Sequence, residues 1–221
     1  MKMKKLLALG LAGVMALSLA ACGVPGEEDE TQAAGTEAAG SEAAGGETTG
    51  GETADGEKVF RYSVKTEPTT LDSAKMNSIG DSELQQIMGE GLLTNNAGEI
   101  SPGLAETWEI SEDGLTYTFH LRDAKWSNGE AVTAADFVFG WQRAVDPATA
   151  SEYSYMLSDI GQVVNAAEII AGDKPVTDLG ITAVDDKTLK VELNVPVSYF
   201  LSLMYFPTFY PMNQKIGRAH V

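Results

Sequence analysis

The sequence predicts a mixed α/β (α+β) lobe for its folded part. Three observations predict it: a strand with unbroken two-residue alternation over residues 115–122, a capped amphipathic helix opening at Thr133, and turn signals that separate such elements. In chain order, Val59, Tyr62 and Val64 begin a strand-like stretch that stops at Glu67-Pro68. Residues 81–88 carry Leu84, Ile87 and Met88 at helical spacing, so a helix with one apolar face is expected there. Residues 104–110 alternate with Leu104, Trp108 and Ile110 on one side, and Glu112-Asp113-Gly114 supplies a turn. Leu115, Tyr117, Phe119 and Leu121 then face one way, and Thr116, Thr118, His120 and Arg122 the other.

A second turn, Ser127-Asn128-Gly129, precedes Thr133-Ala134-Ala135-Asp136, the pattern of a capping box whose hydroxyl and carboxylate satisfy the open amides of a helix start. The helix it opens turns Phe137, Trp141, Ala144 and Val145 inward and stops at Asp146-Pro147. Val163, Val164, Ala167 and Ile170 suggest a further helix ending at Gly172. Leu189, Val191 and Leu193 alternate as a strand, and an apolar stretch follows over 199–206. Trp108, Trp126, Phe137 and Trp141 read as core.

The front of the chain has a different organisation. Lys2, Lys4 and Lys5 precede an apolar run over residues 6–19, which as a helix spans roughly 21 Å against the roughly 30 Å of a hydrocarbon core. Residues 1–21 are therefore read as a signal peptide rather than a permanent span. The run ends in Leu19-Ala20-Ala21-Cys22, the pattern of a lipobox, in which the Cys thiol is alkylated by a diacylglyceryl group before the signal is removed. Two acyl chains anchor stably where one is marginal. An ordinary signal peptide with an incidental Cys22 is the plainer alternative. From Ala33 the sequence repeats in fives (AAGTE, AAGSE, AAGGE, TTGGE, TADGE) up to Glu57, a period that fits neither helix nor strand. With recurring Gly and evenly spaced acids, residues 22–57 are expected to be a lipidated Cys followed by a flexible acidic spacer, reaching roughly 30–35 Å. An acidic binding tail is the competing reading.

The formal charge of −17 excludes nucleic acid as a partner on simple electrostatics. The single cysteine precludes an internal disulfide. Catalysis by a nucleophile needs a base beside it. The two histidines are His120, on the polar face of a strand, and His220, in the tail. No nucleophile elbow, phosphate loop, paired-Cys metal motif or zinc-protease motif is present. The chain is read as a non-enzyme without cofactor or metal.

One passage is more specific. Residues 89–147 contain E-G-L-L, P-G-L-A-E-x-W, D-G-L-T-Y-T-F-H-L-R, K-W-S-N-G, V-T-A-x-D-F-V and W-Q-R, and the likeness continues through 149–153, 169–179 and 195–200. This resembles the extracellular solute-binding proteins of the peptide/nickel family, nearest to their oligopeptide-binding branch. The resemblance implies a type II periplasmic-binding-protein-like fold, of which residues 58–215 would be the N-terminal portion of a two-lobed receptor. It implies an oligopeptide ligand lying extended between lobes and paired by main-chain hydrogen bonds. By position, Asn77, Ser78 and Ile79 match the segment that pairs with the peptide. Tyr153 matches a cleft tyrosine near the ligand's amino end, its alternative being a half-buried packing role. Phe206 stands where the branch can carry a His.

The implied partners are the permease subunits of an ABC importer and, through the lipid anchor, the outer face of the cytoplasmic membrane. The receptor itself would be a monomer. The same fold could bind a dipeptide, nickel complex, haem or oligosaccharide, and a lipid-anchored hydrolase with its catalytic residues downstream is the reading from another class. Residues 216–221, IGRAHV, back-translate to a common sequencing adapter and are expected to be a non-native tail, the natural protein being longer.

Overall fold

A computed structural model of the chain describes residues 51–52, 58–59, 61–63 and 66–215. The expected signal peptide, Cys22, nearly all of the expected spacer and the 216–221 tail lie outside the described residues. Two residues of the expected spacer, Gly51–Glu52 (β1), pair antiparallel with Lys58–Val59 (β2). The strand expected over Val59, Tyr62 and Val64 is thus confined to its start; residues 61–63 have no regular structure.

The lobe proper is built on a four-stranded antiparallel sheet of Ala105–Ile110 (β5), Thr116–Leu121 (β6), Ile181–Ala183 (β7) and Thr188–Glu192 (β8), in the order β5-β6-β8-β7. Its central strand β6 keeps the alternation read from sequence: Tyr117, Phe119 and Leu121 are buried, with Thr116, Thr118 and His120 less so. β8 repeats this with Leu189 and Val191. β5 departs from it. A bulge between Ala105 and Thr107 adds a residue opposite β6, so Ala105 and Trp108 face inward three positions apart, and Ile110 is left exposed at the strand end.

Helix Ala134–Val145 (α2) packs against the β7–β8 side of the sheet. Asp136 closes its start by accepting a hydrogen bond from the Thr133 amide at 2.8 Å, and takes the Trp126 indole N–H at 3.2 Å. Its expected inward residues, Phe137, Trp141, Ala144 and Val145, are all buried. Trp141 meets the Phe209 ring edge-on at 5.1 Å and donates its indole N–H to the Phe209 carbonyl at 2.9 Å, which satisfies the one polar atom it buries. The last expected helix shrinks to the five residues Ala166–Ile170 (α3). Ala166 and Ile169, not Ala167 or Ile170, are its fully buried residues, and Val163, buried ahead of the helix, bridges Leu193.

A hairpin, Leu93–Asn96 (β3) with Glu99–Pro102 (β4), leads into the sheet. The lobe begins at Gly89–Gly91 and its chain returns at Tyr210, and these two places touch. A Cβ on Gly91 would stand 2.9 Å from the Tyr210 ring and closer still to the Met204 carbonyl, so only glycine admits this approach. Ahead of the lobe lies one further helix, Ile79–Met88 (α1). Its apolar stripe is not its packed face. Asp81 and Gln85 are buried, while Ile79, Ile87 and Met88 are 72%, 60% and 58% exposed.

Candidate functional site

The segment preceding α1 is shaped by one carboxylate. Asp81, fully buried, accepts from the amides of Thr69 (2.6 Å), Thr70 (3.2 Å), Asn77 (3.2 Å) and Ser78 (3.3 Å), and from the Thr69 hydroxyl at 2.9 Å. The Ser78 hydroxyl accepts the Asp81 amide in return at 3.1 Å, completing a capping box. Burial pushes the Asp81 carboxyl up, but the Asn77, Thr69 and Thr70 donors together outweigh it and hold the group far below the usual carboxylate range. The segment is also pinned to the lobe. Met76 is 1% exposed, Ala74 belongs to the core, and Arg143 of α2 binds Asp72 at 2.5 Å.

What this frame leaves open is informative. Ser78 is extended (φ −126°, ψ 161°), and its own amide and carbonyl are taken by Asp81 and by the Ser82 amide. The groups flanking it, the Asn77 carbonyl and the Ile79 amide, have no partner among the described residues. In an extended strand those two groups point to the same side, the spacing with which a strand residue bridges a neighbouring chain. The Ile79 side chain beside them is the most exposed of the large hydrophobic residues here.

The second expected segment comes to the same place. The Asn77 side-chain amide donates to Glu152 at 3.4 Å across 75 positions of sequence, next to Tyr153. Tyr153 is half-buried, stacked on Tyr155 at 5.9 Å and tilted against Phe206 at 5.4 Å. The Asn77 contact thus brings the main-chain ledge of residues 77–79 to the turn that carries Tyr153, the fourth residue matched by resemblance. Sequence reasoning passed over Asp81, Glu152 and Tyr155. For Asp81 the signal was present, since Ser78-Ile79-Gly80-Asp81 has the same pattern as Thr133-Ala134-Ala135-Asp136. Glu152 and Tyr155 carry no local signal.

A separate open groove of about 660 Å³ lies between α1 and the β6–α2 connection, lined by Gln85, Met88, Glu90, Arg122, Trp126 and Tyr210 among others. None of the four residues matched by resemblance lines it. Arg122 pairs with Glu90 at its wall, and the Tyr210 hydroxyl is pushed up to about 12 by burial and then by the Glu90 charge. No cluster of ligating side chains able to hold a metal ion occurs among the described residues. No helix among them is long and apolar enough to cross a membrane.

A sheet-and-helix lobe with an open main-chain ledge on the segment ahead of it is the architecture to be compared with known proteins. Residues 99–219 match the family described as bacterial extracellular solute-binding proteins, family 5 middle, and the chain belongs to that family. The periplasmic oligopeptide-binding protein OppA of Escherichia coli is 46% identical over 149 residues, 66% of this chain and 27% of that protein. The probable deoxycholate-binding periplasmic protein YgiS of the same organism is 42% identical over 165 residues, 74% of this chain and 31% of its own. The crystal structure of Haemophilus influenzae OppA in complex with RPPGFSPFR superposes with a TM-score of 0.66 at 46% identity, covering 68% of this chain and 29% of that one. The chain thus spans about a third or less of the length of these relatives. They show the expected binding-protein fold, and the names of these relatives describe binding proteins.

Proposed function

We propose that this chain is the N-terminal part of a lipid-anchored peptide receptor, which captures oligopeptides outside the cytoplasmic membrane and hands them to an ABC permease. The observation that carries the reading is the pair of open groups around Ser78. A ligand residue can give its N–H to the Asn77 carbonyl and take the Ile79 N–H on its own carbonyl, and every peptide has both groups whatever its side chains. Asp81 fixes the ledge from behind, so the ligand does not have to order it on binding. Relatives named for oligopeptide binding support this choice of ligand, and the outward apolar stripe of α1 supports a longer receptor whose remaining part covers it. Cys22 would hold the receptor at the membrane through its two acyl chains.

Titration calorimetry of the full-length receptor with tri- to pentapeptides tests the reading. Micromolar or tighter binding that weakens on N-methylation of a single ligand amide is the expected result. Indifference to all short peptides, or binding of deoxycholate in their place, overturns it. For the anchor, Cys22→Ser should move the protein from the membrane fraction to the medium or periplasm, and mass spectrometry of the wild-type N-terminus should show a diacylglyceryl thioether.

A further inference from the structure

Asp81 accounts for the shape of the ledge but not for its place. All five of its bonds run to residues 69–78, inside the segment that also carries α1. Among the described residues, two side-chain hydrogen bonds join residues 66–89 to the lobe. One is the Asn77–Glu152 contact, long at 3.4 Å and exposed. The other is the ion pair of Arg143 with Asp72 at 2.5 Å, whose side chains are 26% and 23% exposed and so are less screened than a surface pair. The Asp72 carboxylate divides its two oxygens. Oδ2 takes the guanidinium, and Oδ1 takes the Ala74 amide at 3.0 Å. The Asp72 amide donates to the Thr70 hydroxyl at 3.0 Å, and its carbonyl accepts the Lys75 amide at 2.9 Å. A shift of the guanidinium is therefore passed to the backbone of residues 70–75, which runs through buried Met76 into Asn77. Arg143 itself is well held. It stands in the last turn of α2, where a cation suits the negative end of a helix, just after fully buried Trp141.

We propose that Arg143 is a positioning residue for the ledge: acting through Asp72, it sets where the Asn77 carbonyl and the Ile79 amide stand relative to the lobe. A peptide that meets both the ledge and the lobe then finds them in register and does not have to draw them together. The proposal rests on the peptide-receptor reading, and the test separates the two. In the full-length receptor, binding of alanine tri- to pentapeptides is measured by calorimetry for wild type, Arg143→Gln, Asp72→Asn and the double variant. Because both residues act through one link, each single variant and the double should weaken binding by one common factor, roughly 3–30-fold. Amide exchange at Thr69, Thr70, Asn77 and Ser78 should stay slow in all of them, since Asp81 still holds these groups. A merely structural pair would lower the melting temperature and leave the affinity of the folded receptor as it was. Asp72→Asn keeps the acceptor for the Ala74 amide, so the link is tested even where Arg143→Gln does not fold. Unchanged affinity in a folded variant, losses that multiply in the double variant, or exchange that quickens along with the loss overturns the positioning role and leaves peptide capture standing. A wild-type receptor that binds none of these peptides removes peptide capture and the positioning role with it.

Discussion

The lobe from Leu92 to Tyr210 and the segment from Thr66 to Gly89 hold their shapes by different balances of forces. In the lobe, Phe119, Phe137, Trp141, Phe200 and Phe209 are fully buried, and the indole N–H of Trp141 is paired within that core. In the segment ahead of it, Ala74 and Met76 are buried against the lobe, but the charged group sealed from water is a carboxylate with five donors, and Leu71, Ile79, Ile87 and Met88 are exposed. One region holds its shape by excluding water from carbon. The other does so by directional bonds converging on Asp81. The second method would suit the peptide ledge proposed above, because hydrogen bonds fix the backbone while leaving the outward face unused.

The sharpest way to break this contrast is to cut each region at its centre. Trp141→Ala should cost about 3–5 kcal/mol, read as a shift of the whole urea transition, since it opens a cavity and strands the Phe209 carbonyl. Asp81→Ala should cost about 1–2 kcal/mol and act locally. Amide exchange should quicken at Thr69, Thr70, Asn77 and Ser78 while protection in β6 and β8 stays. If Asp81→Ala melts the sheet as well, the two regions are one cooperative unit.

Acid should tell the regions apart in the same sense. The folded Asp81 carboxyl lies below its unfolded value of about 3.9, so its contribution is whole above that pH and is lost as pH falls further below it. Exchange at Asn77 and Ser78 should therefore rise in strong acid before the lobe unfolds.

Alkali probes the junction. The Tyr210 hydroxyl ionises at about 12 when folded against about 10 when unfolded, so its contribution holds below pH 10 and fades between 10 and 12. An absorbance titration at the phenolate band should show a late-ionising tyrosine that Tyr210→Phe removes, at a stability change of about 1 kcal/mol or less. The smallest effect belongs to the surface. Lys190→Gln removes a 3.0 Å pair with Glu192 whose side chains are 38% and 46% exposed, and should move the urea midpoint by no more than about 0.5 kcal/mol.

Legibility followed the same division. β6 and α2 could be read residue by residue because both are amphipathic against one core, where period and burial coincide. In β5 the side shared by Trp108 and Ile110 was read, but the bulge ahead of them was not, being an extra residue that composition does not announce. In α1 the apolar stripe was seen and its direction was not, since a stripe says that a face is apolar but not whether this chain covers it. At the ledge, the segment and the tyrosine were found by likeness to relatives. The contact that joins them, Asn77 to Glu152, spans 75 positions and leaves no trace in any local pattern.

The meeting of Gly89 and Gly91 with Tyr210 bears on how such a module is passed between genes. A unit whose two ends sit side by side can be spliced into a loop of a host protein without stretching either one. The host would need a gap only two chain-widths across, together with cover for the places where Ala74 and Met212 pack on the core from outside these ends.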